Sequence, residues 1–66
     1  MLVLSGLRDL RLDAALSQDD LGKLANVSRM TIVRGEKGHP LRLVSVRRLA
    51  KALGVRPQDL RKPAAQ

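Results

Sequence analysis

Leu16-Ser17-Gln18-Asp19-Asp20-Leu21-Gly22-Lys23-Leu24-Ala25-Asn26-Val27-Ser28-Arg29-Met30-Thr31-Ile32 is the stretch that decides the fold. Ser17 has the character of a helix N-cap. Gln18, Asp19 and Asp20 fill the first turn behind it, where carboxylates complement the helix dipole, and Asp20 stands at the partner position of a capping box. Leu21, Leu24 and Ala25 supply a buried face at helical spacing. Asn26 tolerates left-handed dihedrals better than any residue but glycine, so it reads as a stop and a turn. Ser28 repeats the N-cap signal two residues later, with Ile32 as the inward residue of the helix it opens. Two short helices joined by so tight a turn must cross steeply, which is helix-turn-helix geometry. Gly22 supports that crossing. Glycine within a helix costs about 1 kcal/mol relative to alanine, and its missing side chain lets backbones meet where the second of these helices passes over the first.

Outward from this unit the periodicity stays helical. Val3, Leu7, Leu10 and Ala14 line one face of a first helix over about Ser5 to Ala14. The third helix runs from Arg29 to Lys37, and Gly38-His39-Pro40 breaks into a loop. Val46, Leu49, Ala50 and Leu53 form the stripe of a fourth helix, Gly54 stops it, and Pro57 opens a short fifth helix through Leu60. The tail from Lys62 to Gln66 has nothing to bury and is expected to fray. The reading is all-α: one compact bundle of five short helices, a single domain over residues 1–66 with its core at about 5–61.

Composition removes most function classes. At 66 residues the chain buries only about 60% of its unfolded surface, so an enzyme pocket is hard to build, and no spacing places a base beside a nucleophile. There is no cysteine, and the lone His39 has no cluster of further ligands, so neither a metal nor another cofactor is expected. The absence of aromatic residues weighs against single-stranded RNA, whose bases need stacking partners. Met1-Leu2-Val3-Leu4 is too short for a signal peptide or a membrane span, so no membrane association is expected and a cytoplasmic address fits. The net charge of +7 is unevenly placed: residues 1–28 carry three cations against four carboxylates, and residues 29–66 carry ten cations against two. A basic half of this kind suits a polyanion.

The segments Leu7-Arg8-Asp9-Leu10-Arg11, Leu16-Ser17-Gln18-Asp19-Asp20-Leu21, Val27-Ser28-Arg29, Thr31-Ile32 and Leu49-Ala50-Lys51-Ala52-Leu53-Gly54-Val55 resemble the Xre family. These are the lambda-repressor-like helix-turn-helix domains of phage repressors and Cro. The resemblance covers roughly residues 7–61 and implies a five-helix bundle that binds operator DNA as a dimer, with the third helix in the major groove. On this basis Arg29, Met30, Val33 and Arg34 are the base-reading candidates: arginine can bind guanine bidentately, and Met30 or Val33 can meet a thymine methyl. Gln18, Ser28, Thr31, Lys37, His39 and Arg42 are the phosphate candidates, the first two at helix N-termini whose free N–H groups attract anions. Arg11 and Glu36 match family positions that pair. Val55, Pro57 and Leu60 are the candidate dimer contact, with recognition helices about 34 Å apart. The charges of Arg56, Arg61 and Lys62 would weaken that dimer off DNA.

The function this implies is a sequence-specific double-stranded DNA-binding transcription regulator, a repressor on a palindromic operator, with no catalysis. An antitoxin with a toxin partner, or a protein interaction module that retained the fold, are the alternatives. Arg47, Arg48 and Lys51 on the outer face of the fourth helix read as solvated surface. Three residues depart from the family pattern. Gly35 replaces a large apolar residue and is expected to leave a gap in the core, so that Gly35→Leu would stabilise the protein. Ala15 replaces a frequent helix-ending glycine, and Arg42 stands near a frequent Ser or Thr cap.

Overall fold

The structure is a computed structural model that describes residues 1–61; the tail expected to fray at 62–66 lies outside the described residues. Five helices follow in order: α1 Leu7–Asp13, α2 Gln18–Ala25, α3 Arg29–Glu36, α4 Leu43–Leu53 and α5 Pro57–Arg61. Leu4, Leu7, Leu21, Ile32, Val46, Leu49 and Leu60 are fully buried at their centre. Each such side chain stabilises the fold by about 1.5–3 kcal/mol relative to exposure. α2 packs on α3 and α4, α4 on α5, and α1 on α3 and α5.

α1 is shorter than the apolar spacing suggests. Val3 and Ala14 are both exposed, and the inward positions are taken by Leu4, Leu7 and Arg11, with Leu10 half-buried. The reason is an extended lead-in held from outside. Leu2 and Leu41 exchange backbone hydrogen bonds of 2.8 Å each, an isolated antiparallel bridge, so Leu2 and Leu4 turn inward and Val3 turns out. Gly6 then starts the helix, its N–H donating to the Leu60 carbonyl at 2.7 Å. Beyond the other end Ala15 takes φ 57, a left-handed conformation that glycine adopts without strain.

The capping box of α2 is complete. The Asp20 N–H donates to Ser17 Oγ at 3.0 Å and the Ser17 N–H to Asp20 Oδ2 at 3.4 Å. Asn26 closes the helix at φ 56, its N–H donating to the Gly22 carbonyl. The buried face is Leu21, Gly22 and Ala25; Leu24, expected inside, is 62% exposed. Periodicity alone could not separate them, because Leu24 and Gly22 flank the same stripe and the tight approach selects the residue without a side chain. A Cβ on Gly22 would lie 2.9 Å from the Val27 carbonyl oxygen and 3.6 Å from both the Arg29 nitrogen and Ile32 Cδ1. The closest contact is therefore with the turn, and the crossing helix follows behind it.

Gly35 leaves no gap. A Cβ there would stand 2.8 Å from Leu41 Cδ1 and 3.1 Å from Leu7 Cδ2, so the space expected to be empty is filled from the loop by Leu41. α3 continues through Glu36, with Lys37 as its cap. Arg42 precedes α4 as its N-cap, with an extended backbone that suits a cap but a side chain that makes no capping bond. Val46, Leu49 and Ala50 face inward, Leu53 is half-buried, and Gly54 ends the helix at φ 68.

Candidate nucleic-acid interface

α3 is anchored on one side and open on the other. Ile32 and Gly35 are buried, while Arg29, Met30 and Arg34 are exposed and Val33 and Thr31 half-buried. Its start is ordered by Ser28, whose Oγ accepts the Thr31 N–H at 3.1 Å and lies 2.8 Å from the Thr31 hydroxyl. Its end is folded into the following loop: the His39 N–H donates to the Arg34 carbonyl at 3.0 Å, and Gly38 turns at φ 97. Lys37, His39 and Arg42 are all exposed on or next to that loop.

A buried network fixes the angle of α3 against α1. The Arg11 guanidinium donates from Nε to Glu36 Oε2 and from Nη2 to Glu36 Oε1 at 3.0 Å, and from Nη1 to the Leu16 carbonyl at 2.9 Å. The two side chains are 9% and 7% exposed. Planar guanidinium and carboxylate match two-for-two, which adds geometric definition to the charge attraction. The hydrogen bond to Glu36 raises the Arg11 pKa, burial opposes that, and the Glu36 charge reinforces it, so the arginine stays charged. Gln18 joins the network, its Nε2 donating to Glu36 Oε1 at 3.1 Å. One donor of its amide is thus engaged with Glu36, and the half-buried side chain also lines the cleft beside Arg8 and Arg29.

Two clefts flank α3. One lies against α1 and the start of α2, lined by Arg8, Gln18, Arg29, Val33 and Lys37 among others; the second lies against the loop and α4, with Thr31, Arg34, Arg42 and Ser45. The structure therefore gathers the exposed cations of α3 and its loop around one open face. Arg8 is a residue the sequence reading passed over. It precedes Arg11 by three positions on α1, the spacing that puts two side chains on one side of a helix, and this is the signal that could have found it. Asp19 also lines the first cleft and is paired with Lys23 at 3.4 Å.

The residues expected at a dimer contact do not form one exposed patch. Leu60 is fully buried in the core, because α5 folds back on α4, and so cannot meet a second chain. Val55 is half-buried against the core and Pro57 is exposed. Among the described residues no group of three or more His, Cys, Asp or Glu side chains is placed to hold a metal, and no helix is long and apolar enough to cross a membrane.

A family model described as a helix-turn-helix domain matches residues 6–64. Among solved structures the chain is similar to the restriction-modification controller protein C.AhdI from Aeromonas hydrophila, with 36% identity, 82% of this chain and 83% of that chain covered, and a TM-score of 0.77. It is also similar to the hypothetical transcription factor NHTF from Neisseria, at 27% identity with 89% and 67% covered and a TM-score of 0.79. No curated protein sequence matches.

Proposed function

This chain belongs to the helix-turn-helix domain family, and from that premise we propose that it is a transcription regulator that binds double-stranded DNA with α3 in the major groove. One observation carries the reading: α3 buries Ile32 and Gly35, turns Arg29, Met30 and Arg34 outward, and has a cation-lined cleft on each side. A helix so anchored presents its outer residues as a rigid edge, which base reading requires, while cations on either side meet the two phosphate backbones that border a groove. The similarity to a controller protein and a transcription factor supports the same function.

In this reading Arg29 and Arg34 bind guanine edges, and Met30 and Val33 meet thymine methyls. Phosphates are held by the free N–H groups at the start of α3 beside Ser28 and Thr31, and by Lys37, His39, Arg42 and Arg8. Gln18 acts one step back, through Glu36, by fixing α2 against the end of α3. Binding releases counterions and is steeply salt-dependent, and no chemical step is needed.

One recognition helix reaches only a few base pairs, so useful specificity takes two copies on a palindromic site, their helices one turn or about 34 Å apart. The chain measures 29 × 25 × 19 Å, so copies at that spacing stand side by side with little room between them. Occupation of a promoter by such a pair excludes other proteins, which is repression. Selection of bound sequences from random duplex DNA at fixed salt tests the proposal. A palindromic consensus is the expected result, and equal, weak binding to all sequences would refute it.

A further inference from the structure

Two small surfaces away from α3 complement each other. The first is the outer face of α1, where Leu12 is 52% exposed beside Asp9 and Asp13, both exposed. Position 9 is related to 12 by three residues and to 13 by four, so these side chains share one side of α1, where exposed Arg8 also stands four residues before Leu12. Among the described residues every other carboxylate has a partner. Glu36 pairs with Arg11, Asp19 with Lys23 and Asp59 with Arg56, and Asp20 completes the capping box. Among the described residues Asp9 and Asp13 have neither an ion pair nor a hydrogen bond.

The second surface is a shallow groove between α2 and α4. It is lined by Leu24, 62% exposed, and by Ala25, Asn26, Ala52, Arg48 and Lys51. Arg48 spends one donor on the Asn26 carbonyl at 3.2 Å, which leaves the rest of its five N–H groups available, and Lys51 has no partner among the described residues. α1 packs on α3 and α5 while the groove runs along the α2–α4 seam, so the two surfaces belong to different sides of the bundle.

We propose that these surfaces are the two halves of one contact between copies of this chain. The α1 ridge of one copy seats in the α2–α4 groove of the next, Leu12 against Leu24 and Ala52, with Asp9 and Asp13 facing Arg48 and Lys51. Each side offers one exposed leucine; the ridge sets Asp9, Asp13 and the cation Arg8 beside it, a net charge of −1, and the groove sets Arg48 and Lys51 beside its own, so the two sides are opposite in sign. The contact is small and its charges lie at the surface, so it is weak and disappears with salt. It uses none of the residues assigned to DNA and stands whether or not the DNA reading does.

Sedimentation equilibrium of the whole chain without DNA tests this. In low salt the weight-average mass should rise above the monomer as protein approaches millimolar concentration, and return to the monomer in high salt. Asp9→Lys with Asp13→Lys, and separately Arg48→Glu with Lys51→Glu, should each weaken the association about tenfold. An equimolar mixture of the two variants should restore it, because each ridge then meets a groove of opposite sign. If Arg48→Glu unfolds the chain through loss of the Asn26 bond, Lys51→Glu alone serves as the groove variant. A wild-type chain that stays monomeric at millimolar concentration in low salt would overturn the proposal. So would a folded charge-reversed variant that associates like the wild type, or a mixture of variants that fails to recover.

Discussion

Replacing Gly35 with leucine should destabilise this protein, although the Xre pattern favours a large apolar residue there. A new Cβ would stand 2.8 Å from Leu41 Cδ1, 3.1 Å from Leu7 Cδ2 and 3.4 Å from Leu41 Cγ. Ordinary carbon contacts lie at about 3.5–4.0 Å, so the first atom added already displaces Leu41, and three further carbons follow into space that holds no void. Removing a helical glycine contributes about 1 kcal/mol in favour. Overpacking of a filled core costs about 1–3 kcal/mol, so the balance is a net loss of up to about 2 kcal/mol. For a domain of this size that lowers Tm by roughly 4–8 °C per kcal/mol. Gly35→Ala meets only the ends of two leucine side chains, which can yield, and should fall within about 1 kcal/mol of wild type. The decisive variant is Gly35→Leu with Leu41→Ala, where the new side chain fills the place of the old. Urea denaturation of wild type, Gly35→Leu, Leu41→Ala and the double variant gives the coupling, which should be favourable by about 1 kcal/mol or more. A higher urea midpoint for Gly35→Leu alone, or strict additivity in the cycle, would refute the packing argument.

Other expectations follow from the same geometry. Ala15→Gly should raise stability by about 0.5–1 kcal/mol in thermal melts, because Ala15 sits at φ 57 where an L side chain is strained. Arg42→Ser should add about 1 kcal/mol by capping α4, where no side-chain cap exists, while DNA titrations at several salt concentrations show a slope smaller by about one. Glu36→Ala should cost about 3–5 kcal/mol in urea midpoints by leaving Arg11 buried and unpaired, and an Arg11→Met, Glu36→Leu double variant should recover much of that. On a panel of operator variants, Arg29→Ala or Arg34→Ala should each cost about 1–3 kcal/mol and relax preference at one position, whereas Lys37→Ala should weaken all sequences alike.

What residue type and order determined by themselves are the elements and their ends. Ser17 with Asp20, Asn26, Ser28, Gly54 and Pro57 act through their own backbone and the next turn, so their effect is local and survives any packing. The crossing of α2 and α3 was legible for the same reason, since a tight turn constrains direction and Gly22 marks a close approach. Tertiary structure decided what depends on partners distant in sequence. It chose Gly22 over Leu24 for the buried face, brought Leu41 into the space beside Gly35, drew Leu60 into the core and away from any second chain, and tied Gln18 to Glu36. Arg8 joined Arg29 and Lys37 at one cleft only because α1 packs on α3. Periodicity assigns a residue to a face of its own helix. Which face lies nearest the core, and what fills the space opposite a glycine, are set by packing density across the whole bundle, where each volume is shared by segments that sequence order keeps apart.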